Sequence, residues 1–294
     1  MNWTERARLE RLLRRHQPIQ DIPSALLLND THHHLTPLLR QAPSPICSDV
    51  TVVIPTHRQI PVGLGQWVQQ SSQVHILNNG LSDDAIEQLT HSHVQIRNVT
   101  WNGHGRTRQE ALAEVETPFV LFSVDDAIPL RGCIQQLKDT LETGEWDAVV
   151  ARQIPFPTAE RWTRDQLGQW MPPAKSAYPF PQTDHVATLY RTEMLQEYPI
   201  PSVPIAEDAW WSSGKRIACD PKAVVVHSHP RHLRTLMHRE YQIHRQWKQI
   251  GDCTHRLTLF EALLGGIWTI PKYGIREGGR VMGQNLARFA AHKL

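Results

Sequence analysis

The chain has 294 residues, 40% of them hydrophobic and 20% charged, and a net charge of only +2 at pH 7. That length buries one substantial core, so one main domain with terminal decorations is expected rather than two equal domains. The four cysteines, Cys47, Cys133, Cys219 and Cys253, form no CxxC pair; this argues against a zinc ribbon and a disulfide scaffold and points to a reducing, cytosolic setting.

Residues 1 to about 47 read as a helical, polar lead. MNWTERARLERLLRRHQPIQ alternates charge with Leu at helical spacing and lacks the apolar segment of a signal peptide. The two prolines of QAPSPICSD stop any helix there. The run His32, His33, His34 in this lead reads as a solvated loop rather than a metal site.

From Asp49 the run VTVVIP is β-branched, apolar and ended by Pro, as a strand buried on both faces of a parallel sheet would be. VHILNNG (74–80) repeats the pattern, SDDAIEQLTH has helical spacing with acids in its first turn, VQIRNVTW is a third strand and GRTRQEALAEVE a helix. PFVLFSVDDAIP then runs an apolar strand into two carboxylates, followed by the helical CIQQLKDTLETG and the strand WDAVVARQI. This alternation predicts an α/β, doubly wound sheet with ligands at the carboxyl ends of its strands. The stretch 155–204, rich in Pro, Trp and Tyr, reads as loops; KAVVVHSH (222–229) reads as a further strand, and the remainder as helical.

Residues 231–294 carry eleven Lys or Arg against four acids, a net +7, which leaves −5 for residues 1–230. A basic tail with Trp247, Trp268, Leu and Ile interleaved suits either an anionic membrane surface or a phosphate-bearing acceptor, and equally a solvated helical face. No recognisable nucleic-acid module occurs in it, so no nucleic-acid partner is expected. The longest apolar run, from Ala262 to Ile270, is too short to span a bilayer and holds two glycines.

Asp125 and Asp126 stand at a strand end, where two adjacent carboxylates hold a divalent cation together with substrate phosphates, or equally start a helix. His227, Ser228 and His229 end the last predicted strand with an alternation that puts both imidazoles on one face.

Taken in order, VTVVIPTHR, ILNNGLSDD, WNGHGRTRQEAL, FVLFSVDDA and IAEDAWW resemble glycosyltransferase family 2, over residues 49 to about 240. The resemblance implies a GT-A fold: a Rossmann-like, mostly parallel sheet flanked by helices, here with a helical N-terminal extension (1–47), a catalytic domain (48–230) and a basic, mainly helical C-terminal segment (231–294). It further implies an inverting transfer of a sugar from a UDP- or dTDP-linked donor to an acceptor hydroxyl, with Mn²⁺ or Mg²⁺ as cofactor.

Residue by residue, Pro55 and Thr56 match the first nucleotide-binding loop. Asn78, Asn79 and Gly80 match a base-holding stretch that usually reads Asp-Asn-Gly, and the amide oxygen of Asn78 can accept from a pyrimidine N3–H. Arg108 falls where the family places a guanidinium against the base or a phosphate. Asp126 matches the metal-binding last Asp of the family's DxD element, whose first Asp is replaced by Val124, and Asp125 fills the middle position, against the ribose. Glu207 and Asp208 match the downstream Glu-Asp pair, with Asp208 as catalytic base and Glu207 orienting the groups around it. Of Trp210 and Trp211, one offers a flat face to a sugar ring and the other packs in the core.

The strand followed by HSH is similar to rhamnosyltransferase-like members, which implies His229 as a further metal ligand. A carbohydrate or lipid-linked acceptor, surface polysaccharide or glycolipid assembly, and a cytoplasmic location with peripheral membrane contact through the C-terminal segment complete the expectation. Val124 and Asn78 leave a catalytically silent binding or scaffolding protein as the alternative, with a His/Asp metal hydrolase ranked below it and a sugar nucleotidyltransferase disfavoured by the lack of a glycine-rich loop after the first strand.

Overall fold

The computed structural model describes residues 45–89, 93–156, 159–228, 232–249 and 257–293. The expected N-terminal helical lead up to residue 44, its histidine run and His229 therefore lie outside the described residues. Strand and helix alternate as the periodicity predicts: β1 (Cys47–His57), α1 (Leu64–Val68), β2 (Ser71–Asn79), α2 (Asp83–Gln88), β3 (Val94–Asn98), α3 (His104–Ala111) and β4 (Phe119–Ser123). There follow β5 (Ile128–Pro129), α4 (Cys133–Glu142), β6 (Ala148–Ile154), α5 (Arg161–Trp170), β7 (Tyr178–Phe180), β8 (Ala187–Arg191), α6 (Thr192–Glu197), α7 (Glu207–Trp211) and β9 (Ile217–Val226). Three long helices close the described chain: α8 (Leu233–Gln249), α9 (Leu259–Tyr273) and α10 (Ile275–Lys293).

One sheet has the order β3-β2-β1-β4-β8-β6-β9-β5, with β7 also on β9. Among its described strands, β3, β2, β1, β4, β6 and β9 run in one direction, while β8, β5 and β7 oppose them. Side chains alternate across β1, so Val50, Val52 and Ile54 enter one core layer with Leu64, Trp67, Ile134 and Leu137 of α1 and α4. Val53 enters the opposite layer with Phe122, Leu112, Leu195 and Trp211. Both faces are covered, which is why the strands read as unbroken apolar runs. Each fully buried Val, Leu or Ile contributes about 1.5–3 kcal/mol of transfer free energy.

Two features differ from the sequence reading. The stretch 155–204, read as loops, holds α5, β7, β8 and α6, and β8 inserts antiparallel between β4 and β6. β9 begins at Ile217 and ends at Val226, so His227 and Ser228 lie beyond the strand and the expected alternation of two imidazoles on one strand face does not apply. The ladder runs out because β6 pairs with β9 only as far as Ile154↔Val226. From there Phe156 N–H donates to Ser228 Oγ at 3.2 Å instead. A register shift between Ala151 and Arg152 sets the final pairing, placing Gln153 opposite Val225.

The β1–α1 connection lies directly on the segment after β4. Val62 N–H donates to Asp125 O at 2.8 Å, and a Cβ on Gly63 would stand 2.2 Å from Ala127 O. Both atoms facing each other there are backbone, so neither side can yield by a rotamer change. Gly63→Ala is expected to destabilise the fold by about 1–3 kcal/mol, read as a lowered denaturant midpoint at unchanged m-value.

Candidate active site

The carboxyl ends of β1, β2 and β4 lie side by side, since Thr56 pairs with Asn78 and Val53 with Phe122. The crevice of an open α/β sheet is expected at this edge. Asp125 is fastened there: its Oδ2 accepts from Thr56 Oγ1 at 3.2 Å and from His57 N–H at 3.3 Å. Burial and the adjacent Asp126 charge raise its carboxyl above the usual range, against hydrogen bonds from Gln59, His57 and Thr56. Arg58, next along, takes the left-handed region at φ 58°, and Gly80 at φ 96° packs against its side chain. Pro55 and Thr56 thus lie near the carboxyl end of β1, with Thr56 against Asp125.

Asn78 is used differently from that expectation. Its side chain is buried, its Oδ1 accepts from Leu81 N–H at 2.7 Å, and its amide group donates to Asn98 Oδ1 at 2.6 Å. The Asn78 amide is thus engaged on both sides in closing the turn after β2, rather than turned to a nucleotide base. Asn79 O itself is bonded to His57 Nδ1 at 3.0 Å.

Arg108 likewise departs from its expected place against the nucleotide. Its guanidinium is buried and donates to Glu207 Oε1 at 3.0 Å. The placement follows from the α3 N-terminus. Gly103 adopts φ 94°, and at Gly105 a Cβ would stand 1.9 Å from Pro201 O. That close approach lets His104 N–H and Gly105 N–H bond Pro204 O and Val203 O. α3 is thereby clamped to the segment leading into α7, with Arg108 aimed at Glu207.

Glu207 also accepts from His185 Nδ1 at 2.9 Å, while His185 Nε2 meets Tyr190 OH at 2.8 Å. Because a carboxylate only accepts, Nδ1 carries the proton and Nε2 takes the tyrosine hydroxyl's hydrogen bond. Burial and the Arg108 charge lower the His185 imidazole, consistent with a neutral ring. Burial pushes the Glu207 carboxyl up, but His185 and Arg108 outweigh it and bring it down to about 2. Glu207 is a fixed anion.

Asp208 follows it, half-buried. Burial first, then the charges of Glu207 and Asp184, push its carboxyl up to about 8. Its Oδ1 accepts from Ala209 N–H at 2.8 Å, and its backbone O takes Ser212 Oγ at 2.7 Å and Thr183 Oγ1 at 3.0 Å. Ala206, immediately before the pair, holds φ 62°. Of the two tryptophans, Trp211 is buried with its indole N–H on Tyr198 O at 2.7 Å, and Trp210 is exposed.

A polar chain joins the two acidic centres. Asp126 Oδ1 lies 3.3 Å from His227 Nε2, His227 Nδ1 lies 2.9 Å from Gln153 Oε1, and Gln153 Nε2 donates to Asp184 Oδ2 at 2.6 Å. The Asp184 carboxylate fixes the Gln153 amide with its nitrogen toward Asp184, so Gln153 Oε1 accepts from His227 Nδ1–H. Nε2 then faces Asp126 either as a second N–H or as a lone pair that, with the carboxylate, a shared cation satisfies. Asp126 is about one-third exposed. Among the described residues no group of three His, Cys, Asp or Glu converges to hold a metal by itself.

Asp184, His185 and Gln153 were not legible as site residues. The first two precede an antiparallel strand, so they lie at the amino end of β8, whereas the ligand residues of a parallel sheet are expected at carboxyl ends.

No family model and no curated protein sequence matches the chain. Among solved structures, it is similar to the mannosyltransferase PcManGT from Pyrobaculum calidifontis in complex with GDP-Man and Mn²⁺, with a TM-score of 0.53 at 16% identity, over 98% of this chain and 86% of that one. TarS from S. aureus in complex with UDP-GlcNAc follows with a TM-score of 0.48 at 15% identity, over 82% of this chain and 73% of that one. The first likeness is one of fold: the chain has the GT-A architecture, a mixed α/β layer structure with a mostly parallel, curled sheet.

Arg108 and Glu207 form a buried pair whose halves are costly to separate. Arg108→Ala is expected to destabilise by about 3–5 kcal/mol in urea denaturation, because it leaves an uncompensated carboxylate. Asp208 shifts in the opposite direction. Its proton is held more tightly in the folded chain than in the unfolded one, so the stability it contributes is complete at acid pH and is lost as pH rises through about 8. Asp208→Asn escapes that loss, and its melting temperature should gain on wild type from about pH 4 up to about pH 8 and level off above it.

Proposed function

We propose that the chain is an inverting, nucleotide-sugar-dependent glycosyltransferase, with Asp208 as catalytic base and a divalent cation, Mn²⁺ or Mg²⁺, at Asp126. The observation that carries this reading is the geometry of the acidic pair: Glu207, tied to Arg108 at 3.0 Å and to His185 at 2.9 Å, is held as an anion beside Asp208, whose carboxyl is pushed up by burial and by the Glu207 charge. Two carboxylates pushed apart by their surroundings are the usual mark of an assigned acid and base.

In the proposed reaction, ionised Asp208 takes the proton of the acceptor hydroxyl as that oxygen bonds to the anomeric carbon. The bond from that carbon to the donor phosphate breaks, its electron pair leaving with the nucleoside diphosphate on the opposite face. No covalent enzyme intermediate forms. Arg108 and His185 keep Glu207 in place and charged, which in turn sets the proton affinity of Asp208; they are positioning residues. Asp126 and His227, a carboxylate and an imidazole 3.3 Å apart, would hold the cation on this edge. The cation supplies neutralisation of charge on the departing diphosphate. Thr56, Asn79 and Asp125 line the donor side, and Trp210 offers an exposed ring to a sugar.

Mn²⁺ accompanies the donor in the mannosyltransferase of like fold, which supports the cofactor. A UDP or dTDP donor, a carbohydrate or lipid-linked acceptor, and a role in surface polysaccharide or glycolipid assembly remain parts of the proposal. So do His229 as a further ligand, the domain limits 48–230 and 231–294, and a cytoplasmic location. The second reading, a catalytically silent protein of the same fold, draws on the absence of a three-donor metal cluster among the described residues.

Calorimetric titration of UDP, dTDP and GDP with and without Mn²⁺ separates the two. Metal-dependent micromolar binding that Asp126→Ala abolishes is the expected result; no binding of any nucleotide removes the transferase reading. Asp208→Asn should keep donor affinity and lose transfer, and wild-type kcat/KM should climb with pH through about 8 as the base ionises.

A further inference from the structure

The C-terminal helices are packed inside out. α9 turns its small residues inward: Ala262, Gly266 and Thr269 are buried. A Cβ on Gly266 would stand 2.6 Å from Gly278 O of α10. The large apolar residues face outward, with Phe260 68% exposed, Trp268 76% and Ile275 79%, and Leu259, Leu263 and Ile267 beside them. Small residues between helices and large apolar ones outside is the distribution found where hydrocarbon, not water, is the surrounding medium. No described helix is long and apolar enough to cross a membrane, so this face suits contact with a membrane surface rather than a span.

At the carboxyl end of α9 the apolar face runs into a cavity of about 250 Å³ lined by Arg161, Trp162, Lys272, Tyr273, Arg276 and Arg280. Its two carboxylates, Glu160 and Glu277, are both paired with Arg280. Lys272 is held by Asp165 at 2.9 Å. Arg161 and Arg276 are exposed, and Arg161 lies over the Tyr273 ring, 5.8 Å from its centroid. Trp162 and Tyr273 pack edge to face, 5.0 Å apart, as the aromatic wall. Four cations thus line the cavity against two acids, with Asp165 behind Lys272 and Tyr273 as a third. Lys272 stands one turn beyond Trp268, and Ile275 adjoins Arg276, so cavity and apolar face are continuous. The acid of α9 itself, Glu261, is tied up in a capping box with Thr258 at the far end.

We propose that the outward face of α9 and the cationic cavity at its end form one docking site for a membrane surface carrying anionic, phosphate-bearing lipids: the phosphate sits among Arg161, Lys272 and Arg276, and the hydrocarbon lies along Ile267, Trp268 and Phe260. Cations placed beside exposed Trp and Ile match such a surface in both charge and polarity. The cavity also borders the chain leaving β6 at the crevice edge, because Glu160 follows Phe156 and holds Arg280. This deepens the transferase reading by naming where a lipid-linked acceptor would be presented, and rests on that reading only for the lipid's role in transfer.

Flotation of the full chain with vesicles, in the absence of any nucleotide, tests it. Vesicles containing phosphatidylglycerol should carry the protein and phosphatidylcholine vesicles should not, with binding weakened by salt. Phe260→Ser with Trp268→Ser, and separately Arg161→Ala with Arg276→Ala, should each lower vesicle binding roughly tenfold or more at unchanged melting temperature. Failure of the wild-type chain to float, or flotation that neither pair of substitutions weakens, overturns the proposal. Inorganic phosphate shifting Trp162 emission while vesicles do not bind would assign the cavity to free phosphate, and a dimer that Phe260→Ser with Trp268→Ser makes monomeric without vesicle binding would assign the face to a second copy; either also overturns it. Because no donor is present, these outcomes are independent of whether nucleotide binds.

Discussion

A buried carboxylate needs partners, and most of what is particular about this molecule follows from how Glu207 obtains them. In the interior it would take up a proton or lose stability unless paired. Arg108 from α3 and His185 from the approach to β8 supply the pairing. To bring them there, α3 must touch the 201–204 segment, which only Gly105 permits, and β8 must run antiparallel beside β4 so that its amino end faces the crevice. His185 is in turn fixed by Tyr190, itself packed edge-on to Phe122 and Trp211 in the core. The same anion raises the proton affinity of Asp208. One electrostatic requirement therefore couples helix packing, strand direction and the chemistry of the neighbouring acid.

Backbone strain is concentrated at the same edge. Among the described residues the non-glycine positions with positive φ are Arg58 and Ala206, which follow β1 and precede α7. Each costs on the order of 1–3 kcal/mol and persists only where surroundings dictate it. Arg58 follows Thr56 and His57, which reach Asp125, and Ala206 leads into Glu207, held by Arg108 and His185, and Asp208.

The acids at this edge form two communicating groups. Asp126, His227, Gln153 and Asp184 are linked contact by contact, and the charge of Asp184 acts on Asp208. A change of charge at Asp126 is thus felt at Asp208 through oriented dipoles as well as through space.

The strands of the first half were legible in the sequence because a strand buried on both faces needs a mainly apolar run, as in VTVVIP and FVLFS and, interrupted by His75, in VHIL. The positions of Thr56, Asp125 and Asp126 were legible for the same reason: they end such runs, and the right-handed crossover places all those ends together. The roles of Asn78 and Arg108 were not. An amide that closes its own turn and an arginine that meets a carboxylate ninety-nine positions away look in sequence like an amide and an arginine free to bind a ligand. β8 and the residues before it were hidden because an antiparallel insertion carries no periodic signal of its own among prolines and aromatics. Local pattern fixes what must be buried, and with it the elements and their ends. Which buried charge meets which partner depends on contacts distant in the chain, and only the assembled sheet and helices decide that.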